Sequence, residues 1–566
     1  MADNKLIVIG AVAAGTKAAS KAKRDNPDLE VKVFTKERYI SYAGCGLPYY
    51  IGGIIRDKQE LLVRSPEDFK REQGIDIFTE HEVKKIDASG KKVIVEDLKS
   101  GDIREYSYDK LIIATGASPI VPPLENINLA NIFTLRSVSD AFAVRELLDS
   151  GAAKKAVIVG GGFIGLETAE NLRNRGMDVT IVELVPHILP PFDEEMALYA
   201  QNHMIDRGVR ILTGEKVTGF EGSDGKVTAV KTSAGDIEAD MVILSIGVRP
   251  NTGIAVETGI ETGAAGAIKV NKYMETNIKD IYAAGDCAEN TNLITGKPAW
   301  YPMGSTANKT GRIAGHNAAL EKQEEALKES LEGVLGTTIV RLFEVNAAKT
   351  GLSEKDALKE GYEAETVLVP ANDTAHYFPG YRMINTKLVV EKSTHKVLGA
   401  QIVGEGIVDK PIDTIAAAIT MGARAEDLAK LDLAYAPPFS MAVGSTILSA
   451  NVMLNKLNKR MESVKAPVLP DMLEKGGINV LDVREEEEFF ISSIPGSRNI
   501  PMNELEARIG EIDKSKETII LVCKVGKRAY LSYLRLKKLG LLILGFWKAE
   551  FALIRISWNK GGDTNG

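Results

Sequence analysis

Ala156-Val-Ile-Val-Gly160-Gly161-Gly162-Phe163-Ile164-Gly165 runs from an apolar stretch into clustered glycines, and Val179-Thr-Ile-Val-Glu183 follows a helical segment at 166–175. A short strand that is apolar on both faces belongs in a parallel sheet covered by helices. Gly160, Gly162 and Gly165 allow a tight turn, close backbone approach and helix–strand packing. Strand, glycines, helix and terminal acid read together as a Rossmann unit whose helix N-terminus receives a pyrophosphate. Glu183 would accept from adenosine ribose hydroxyls and repel a 2′-phosphate, which favours NADH over NADPH.

A second unit of this kind opens the chain. Leu6-Ile-Val-Ile-Gly10 leads through Ala11-Val-Ala-Ala-Gly15 into a helical segment at 16–24, with a further strand at Val31-Lys-Val-Phe-Thr35. Val12 holds the middle glycine position, and Thr35 stands where an acid is expected, so the ribose contact there is weaker or made differently. Directly beyond lies Ser41-Tyr-Ala-Gly-Cys45-Gly-Leu-Pro-Tyr49. It carries one of only three cysteines in 566 residues, the others being Cys287 and Cys523. Thiols so far apart argue against a disulfide framework, and no metal site is expected. The N-terminus has no basic-then-apolar leader and the chain no run of about 20 apolar residues, so a cytoplasmic protein with no membrane partner is expected. A formal charge of −7 gives no electrostatic case for nucleic acid.

Leu111-Ile-Ile-Ala-Thr115-Gly116 and Thr276-Asn-Ile-Lys-Asp-Ile-Tyr-Ala-Ala-Gly-Asp286 resemble the segments by which two-dinucleotide flavoprotein reductases close their FAD domain. With the Ser41–Tyr49 stretch, residues 1 to about 455 resemble the pyridine nucleotide-disulfide oxidoreductase family. Within it they resemble the single-cysteine branch of coenzyme A-disulfide reductases, CoA-persulfide reductases and NADH oxidases and peroxidases. The resemblance matches Ser41, Cys45, Gly46, Leu47, Pro48 and Tyr49, with Gly44 in place of the family's asparagine. It implies an α/β fold with an FAD domain at 1–118 and 251–325, an NAD(P)H domain at 119–250 and a mixed αβ dimerisation domain at 326–455. FAD would contact Gly10, Gly15, Thr35, Lys36, Ser41, Thr115, Gly116 and Asp286. The nicotinamide cofactor, NADH or NADPH, would contact Gly160, Gly162, Gly165, Glu183 and Gly247. Cys45 would attack a substrate S–S bond, its thiolate stabilised by the helix it begins and by oxidised flavin. Cys287 reads as a packing residue.

The dimerisation segment resembles its family counterpart at His376-Tyr377-Phe-Pro-Gly380 and at Leu433-Ala-Tyr435-Ala-Pro-Pro-Phe439. By that resemblance Tyr377 and Tyr435 reach across a homodimer toward Cys45. Ser-Met-Ala-Val-Gly after Phe439 departs from the Ala-Lys-Asp that coenzyme A-disulfide reductases often carry. Lys21 and Arg24 match family positions contacting the nucleotide end of coenzyme A, and Arg64 adds a charge to the same groove.

A basic helical tail at 454–467, serving as linker through residue 470, precedes a new unit at 471–566. Ile478-Asn-Val-Leu-Asp482-Val-Arg484-Glu485 and the loop Cys523-Lys-Val-Gly-Lys-Arg528 resemble a rhodanese domain. A cysteine between a strand and a helix sits among converging amides that stabilise a thiolate or persulfide. Asp482 and Arg484 brace the loop. Gly540-Leu-Leu-Ile-Leu-Gly-Phe-Trp547 lacks the usual Gly-Gly-aromatic turn, which puts the last strand and helix in question. The whole points to an FAD-dependent NAD(P)H reductase of CoA persulfide, polysulfide or CoA disulfide, with Cys523 handling sulfane sulfur. An NADH oxidase or peroxidase working through a Cys45 sulfenic acid, and a protein that is chiefly a sulfurtransferase, stay open as alternatives.

Overall fold

The computed structural model describes residues 4–464, 468–476, 478–512, 518–539 and 543–548. It divides into two compact units, Met1–Pro186 with Gly208–Gly336, and His187–Arg207 with Thr337–Gly566.

The first unit holds two five-stranded parallel sheets. In one, Lys5–Ile9 lies between Glu30–Phe34 and Lys110–Ile113, with Asp76–Phe78 and Ile281–Ala283 at the edges. In the other, Lys155–Val159 lies between Asp178–Glu183 and Met241–Leu244, with Arg210–Thr213 and Ile132–Thr134 outside them. The connections between them run side by side as the antiparallel strands Ala117–Pro119 and Val248–Pro250. Asn251 staples the crossing: its N–H donates to Gly116 O at 2.9 Å, its side-chain amide donates to Thr115 O, and its carbonyl accepts from Thr115 Oγ1 at 2.6 Å.

The helix Ala13–Asp25 packs along the helix Gly304–Ala319 through a seam of small residues. A Cβ added at Gly311 or Gly315 would lie 2.5 Å from Ala14 O or 2.2 Å from Ala18 O. At these two positions the second helix has no room for more than hydrogen.

In the second unit, an antiparallel sheet has the order Thr338–Leu342, Val345–Gly351, Val397–Gly404, Met383–Glu391, Ala364–Asn372. The helix Glu194–Asp206 packs on its central strands. A parallel sheet of order Ser463–Val464, Ile543–Lys548, Thr518–Cys523, Ile478–Asp482, Arg498–Asn499 completes this unit. The helix expected through residue 467 ends at Leu457. Lys459 takes a left-handed conformation (φ 56°), and the Arg460 N–H reaches back to Asn455 O at 2.8 Å, which terminates the helix by a backbone cap rather than by sequence polarity. The strand whose loss was in question, Ile543–Lys548, is formed next to Thr518–Cys523. The altered turn at 540–542, residues 465–467 of the tail and the segment 549–566 lie outside the described residues.

Candidate active site

The two glycine turns are built alike although only one carries three glycines. Gly10 and Gly160 have φ of 106° and 107°, and a Cβ on them would meet Ala114 O at 2.1 Å and Ser245 O at 2.3 Å. A Cβ on Gly15 or Gly165 would meet the carbonyl of Gly10 or Gly160 at 1.9 Å or 2.2 Å. These four glycines are required by the protein's own backbone. Gly162 is different, since a Cβ there would have nothing within 4 Å. The protein's own backbone makes no demand for glycine at this position, where the first turn carries Val12. Glu183 accepts from the N–H of Gly161 at 2.6 Å and of Val185 at 3.0 Å, so it braces the glycine turn as well as ending its strand. Thr35 is buried, its hydroxyl accepting from the Glu37 N–H at 3.3 Å, while Lys36 is exposed. Gly247 lies on the connection, its carbonyl accepting from Ile120 N–H.

Asp286 follows the edge strand Ile281–Ala283, at the same sheet edge as Gly10, Thr35 and Thr115. Its carboxylate has no hydrogen-bond partner among the described residues, and burial raises its pKa against the opposing pull of Arg136. An unpartnered, partly buried carboxylate beside a glycine turn fits a polyhydroxyl ligand, and the group a flavin fold would hold here is FAD. Ser41 adopts φ 45° and donates its N–H to Ala11 O at 2.9 Å, tying the start of the Cys45 segment to the glycine turn.

Cys45 stands in a single 3₁₀ turn, Gly44–Gly46, ahead of the short helix Leu47–Gly52, and is exposed. A Cβ on Gly304, first residue of its helix, would lie 4.0 Å from the Cys45 sulfur. The expected stabilisation of a thiolate is not what the protein alone provides. Burial of the sulfur's surroundings, then the charges of Glu167 and Asp286, push the Cys45 thiol above its ordinary range. The helix after it is six residues long and begins two residues beyond the sulfur, too short and offset to outweigh two carboxylates. Glu167 comes from the second turn of Phe163–Asn174 and accepts from Tyr49 Oη at 3.1 Å. Burial raises its own pKa to about 7. Sequence reasoning missed Glu167 and Arg136. The signal for Glu167 was an acid two residues past the last glycine on an otherwise buried helix face. Arg136, which donates to Ala117 O and Tyr42 Oη, carried none.

Lys21 is paired with Asp25 at 2.6 Å, Arg24 is exposed one turn away, and Arg64 pairs with Glu72 at 3.3 Å while lying over Phe69. In the second unit Tyr377 and Tyr435 are both exposed, with their hydroxyls 3.2 Å apart. Cys287 is buried, its thiol donating to Ile113 O and Ala284 O at 3.4 Å. Cys523 is buried too, but its sulfur accepts from the N–H of Gly526 at 3.1 Å and of Ala529 at 3.2 Å. Gly526 makes this possible with φ 81°, and Arg484 grips Asp482 through the Nε–Nη2 edge of its guanidinium.

Residues 4–303 match the pyridine nucleotide-disulphide oxidoreductase family, residues 337–447 its dimerisation domain, and residues 465–555 the rhodanese-like domain. The chain belongs to the pyridine nucleotide-disulphide oxidoreductase family. It superimposes on the reduced Bacillus anthracis CoADR-RHD with a TM-score of 0.93 at 34% identity, covering 99% of each chain. With an NAD-dependent persulfide reductase from A. fulgidus the TM-score is 0.91 at 38% identity, over 97% of this chain and 99% of the other. A Pyrococcus furiosus NAD(P)H sulfur oxidoreductase (CoA-dependent) is 37% identical over 454 residues, 80% of this chain and all of the relative. Among the described residues no helix is long and apolar enough to cross a membrane and no cluster of side chains could hold a metal ion.

Proposed function

We propose that this family member is an FAD-dependent NAD(P)H reductase of CoA persulfide, polysulfide or CoA disulfide, working in the cytoplasm as a homodimer. The observation that carries the reading is the pair of unlike thiols: Cys45, exposed between two dinucleotide-binding folds, and Cys523, cradled by loop amides in a rhodanese-like domain. It is supported by the relatives whose names join coenzyme A, sulfur and NAD(P)H.

Cys45, once deprotonated, attacks the S–S bond of the substrate, forms a mixed disulfide and expels the other sulfur as a thiolate or hydrosulfide. Bound flavin would supply the two electrons, drawn from the nicotinamide, that return Cys45 to a thiol. For a CoA persulfide the balance is NADH + H⁺ + CoA–S–SH giving NAD⁺ + CoA–SH + H₂S. Tyr377 and Tyr435 of the partner would donate to the departing sulfur. Lys21, Arg24 and Arg64 would meet the phosphates of coenzyme A. Glu183 would hold the nicotinamide cofactor's ribose beside the turn it braces, Gly162 would face its pyrophosphate, and Asp286 would accept from a flavin hydroxyl. Cys523 would load or pass on sulfane sulfur.

Anaerobic NADH oxidation with CoA persulfide, CoA disulfide or no acceptor tests this. Acceptor-dependent turnover with release of sulfide or free thiol, abolished in Cys45→Ser with FAD retained, is expected. Turnover surviving in Cys45→Ser would refute the thiol mechanism, and turnover only in air would make the protein an NADH oxidase. That second reading is favoured by the 30% identity to the water-forming NADH oxidase of Lactobacillus brevis.

A further inference from the structure

Arg528 closes the Cys523 loop, and it is already taken. Its guanidinium forms a two-point pair with Glu488 of the helix Glu486–Ile491, Nη2 lying 2.8 Å from Oε1 and Nη1 meeting Oε2. Arg528 is close enough to Cys523 that a negative sulfur there favours its charge, though less than the Glu488 bond does. Both partners are about a quarter to a third exposed, whereas Cys523 itself is buried. The other cations of the loop, Lys524 and Lys527, are exposed and make no ion pair among the described residues.

We propose that Glu488 is a specificity-determining residue of the Cys523 site, neutralising Arg528 so that the loop takes sulfur from organic persulfides and discriminates against thiosulfate. This rests on the sulfur-carrying reading of Cys523. The reasoning is electrostatic. A donor R–S–S⁻ transfers its outer sulfur when the Cys523 thiolate attacks it: the donor S–S bond breaks, Cys523–S–S⁻ forms and R–S⁻ leaves, with no net change of oxidation state. The loop amides of Gly526 and Ala529 already hold the one charge that resides on Cys523 throughout. Thiosulfate undergoes the same exchange but leaves as sulfite, so two further charges must be held beside the loop through the transfer. The planar fork of Arg528 suits a sulfonate, and Glu488 occupies both of its teeth. Lys524 and Lys527 remain for a more distant phosphate on the organic thiol.

The test uses the full-length holoenzyme carrying Cys45→Ser, so that transfer to cyanide reports Cys523. Thiosulfate and glutathione persulfide serve as alternative donors. Glu488→Gln should lower the KM for thiosulfate about ten-fold, the worth of one freed charge-assisted contact, with kcat and the persulfide KM little changed. Adding Arg528→Gln should erase that gain, while Arg528→Gln alone should move the thiosulfate KM by less than about two-fold, since the pair is already neutral. An unchanged thiosulfate KM in Glu488→Gln, or a large rise in it from Arg528→Gln alone, would overturn the inference. Absence of Cys523-dependent transfer from either donor would overturn the sulfur-carrying reading itself.

Discussion

At the residue scale, Cys45 and Cys523 are tuned in opposite ways by their neighbours. Two backbone N–H groups meet the Cys523 sulfur, while Cys45 faces carboxylates and no hydrogen bond to its sulfur is present among the described residues. Removing one of those charges should therefore be visible. In Glu167→Gln the pH midpoint for alkylation of Cys45 by iodoacetamide is expected to fall, yet to stay above the ordinary thiol value because burial is the larger cause. An unmoved midpoint would show that Glu167 does not act on the sulfur. Glu167 also leaves a signature in stability. Its folded pKa of about 7 lies above its ordinary 4.5, so its contribution is full below pH 4.5 and disappears as pH rises through about 7. Glu167→Gln should flatten that part of the curve of unfolding free energy against pH. None of this was legible in the sequence, because Glu167 and Cys45 are brought together by the packing of Leu47–Gly52 on Phe163–Asn174. Cys45 itself was legible as the candidate nucleophile, since it sits inside the nine-residue stretch Ser41–Tyr49.

At the scale of elements, the strand–glycine–helix units were readable because each needs a local steric solution that few residues allow. Even the incomplete first fingerprint kept the two glycines its own backbone demands. The seam between Ala13–Asp25 and Gly304–Ala319 was not readable, as it pairs small residues far apart in sequence. It should be unforgiving: Gly311→Val or Gly315→Val drives side-chain carbon into a facing backbone carbonyl and is expected to cost about 1–3 kcal/mol or more, seen as a lowered Tm with loss of FAD. A second element-scale joint lies in the other unit. Lys387, on Met383–Glu391, is buried against Asp193 at 2.9 Å, Glu354 at 2.8 Å and Glu195, fastening Glu194–Asp206 and Glu354–Lys359 to the sheet. Burial alone would raise Asp193, but Lys387 holds it below its ordinary value. Such a group stabilises the fold above pH 3.8 and loses that contribution as pH falls through its lower folded pKa. Lys387→Met should destabilise by about 3–5 kcal/mol at neutral pH, because buried Asp193 and the partly buried Glu195 and Glu354 lose their cation. Since those carboxylates can then take up protons, the deficit should shrink toward pH 4, and chemical denaturation at the two pH values checks it. A deficit equal at both would mean the lysine acts by packing alone.

For the whole molecule, the proposed homodimer would share its catalytic groups between subunits. Mixing Cys45→Ser chains with Tyr377→Phe/Tyr435→Phe chains and allowing exchange should restore about a quarter of the sites if each Cys45 uses its partner's phenols, as a two-fold dimer requires. No recovery would assign the tyrosines to their own subunit or to packing. One feature of the first unit also governs the order of events as the chain is made. The sheet around Lys5–Ile9 cannot complete its edge until Ile281–Ala283 pairs with Lys110–Ile113, and helix Ala13–Asp25 cannot cover its small-residue face until Gly304–Ala319 exists. Before either event the ribosome must deliver the entire second sheet, whose strands all fall within residues 132–244. At about 5–20 residues per second, the stretch from Ile113 to Ile281 keeps the opening sheet waiting for about 8–34 s, half-built and with one strand edge bare. The first domain begun is thus the later one finished, and the nascent protein depends for that interval on whatever shelters an open sheet in the cell.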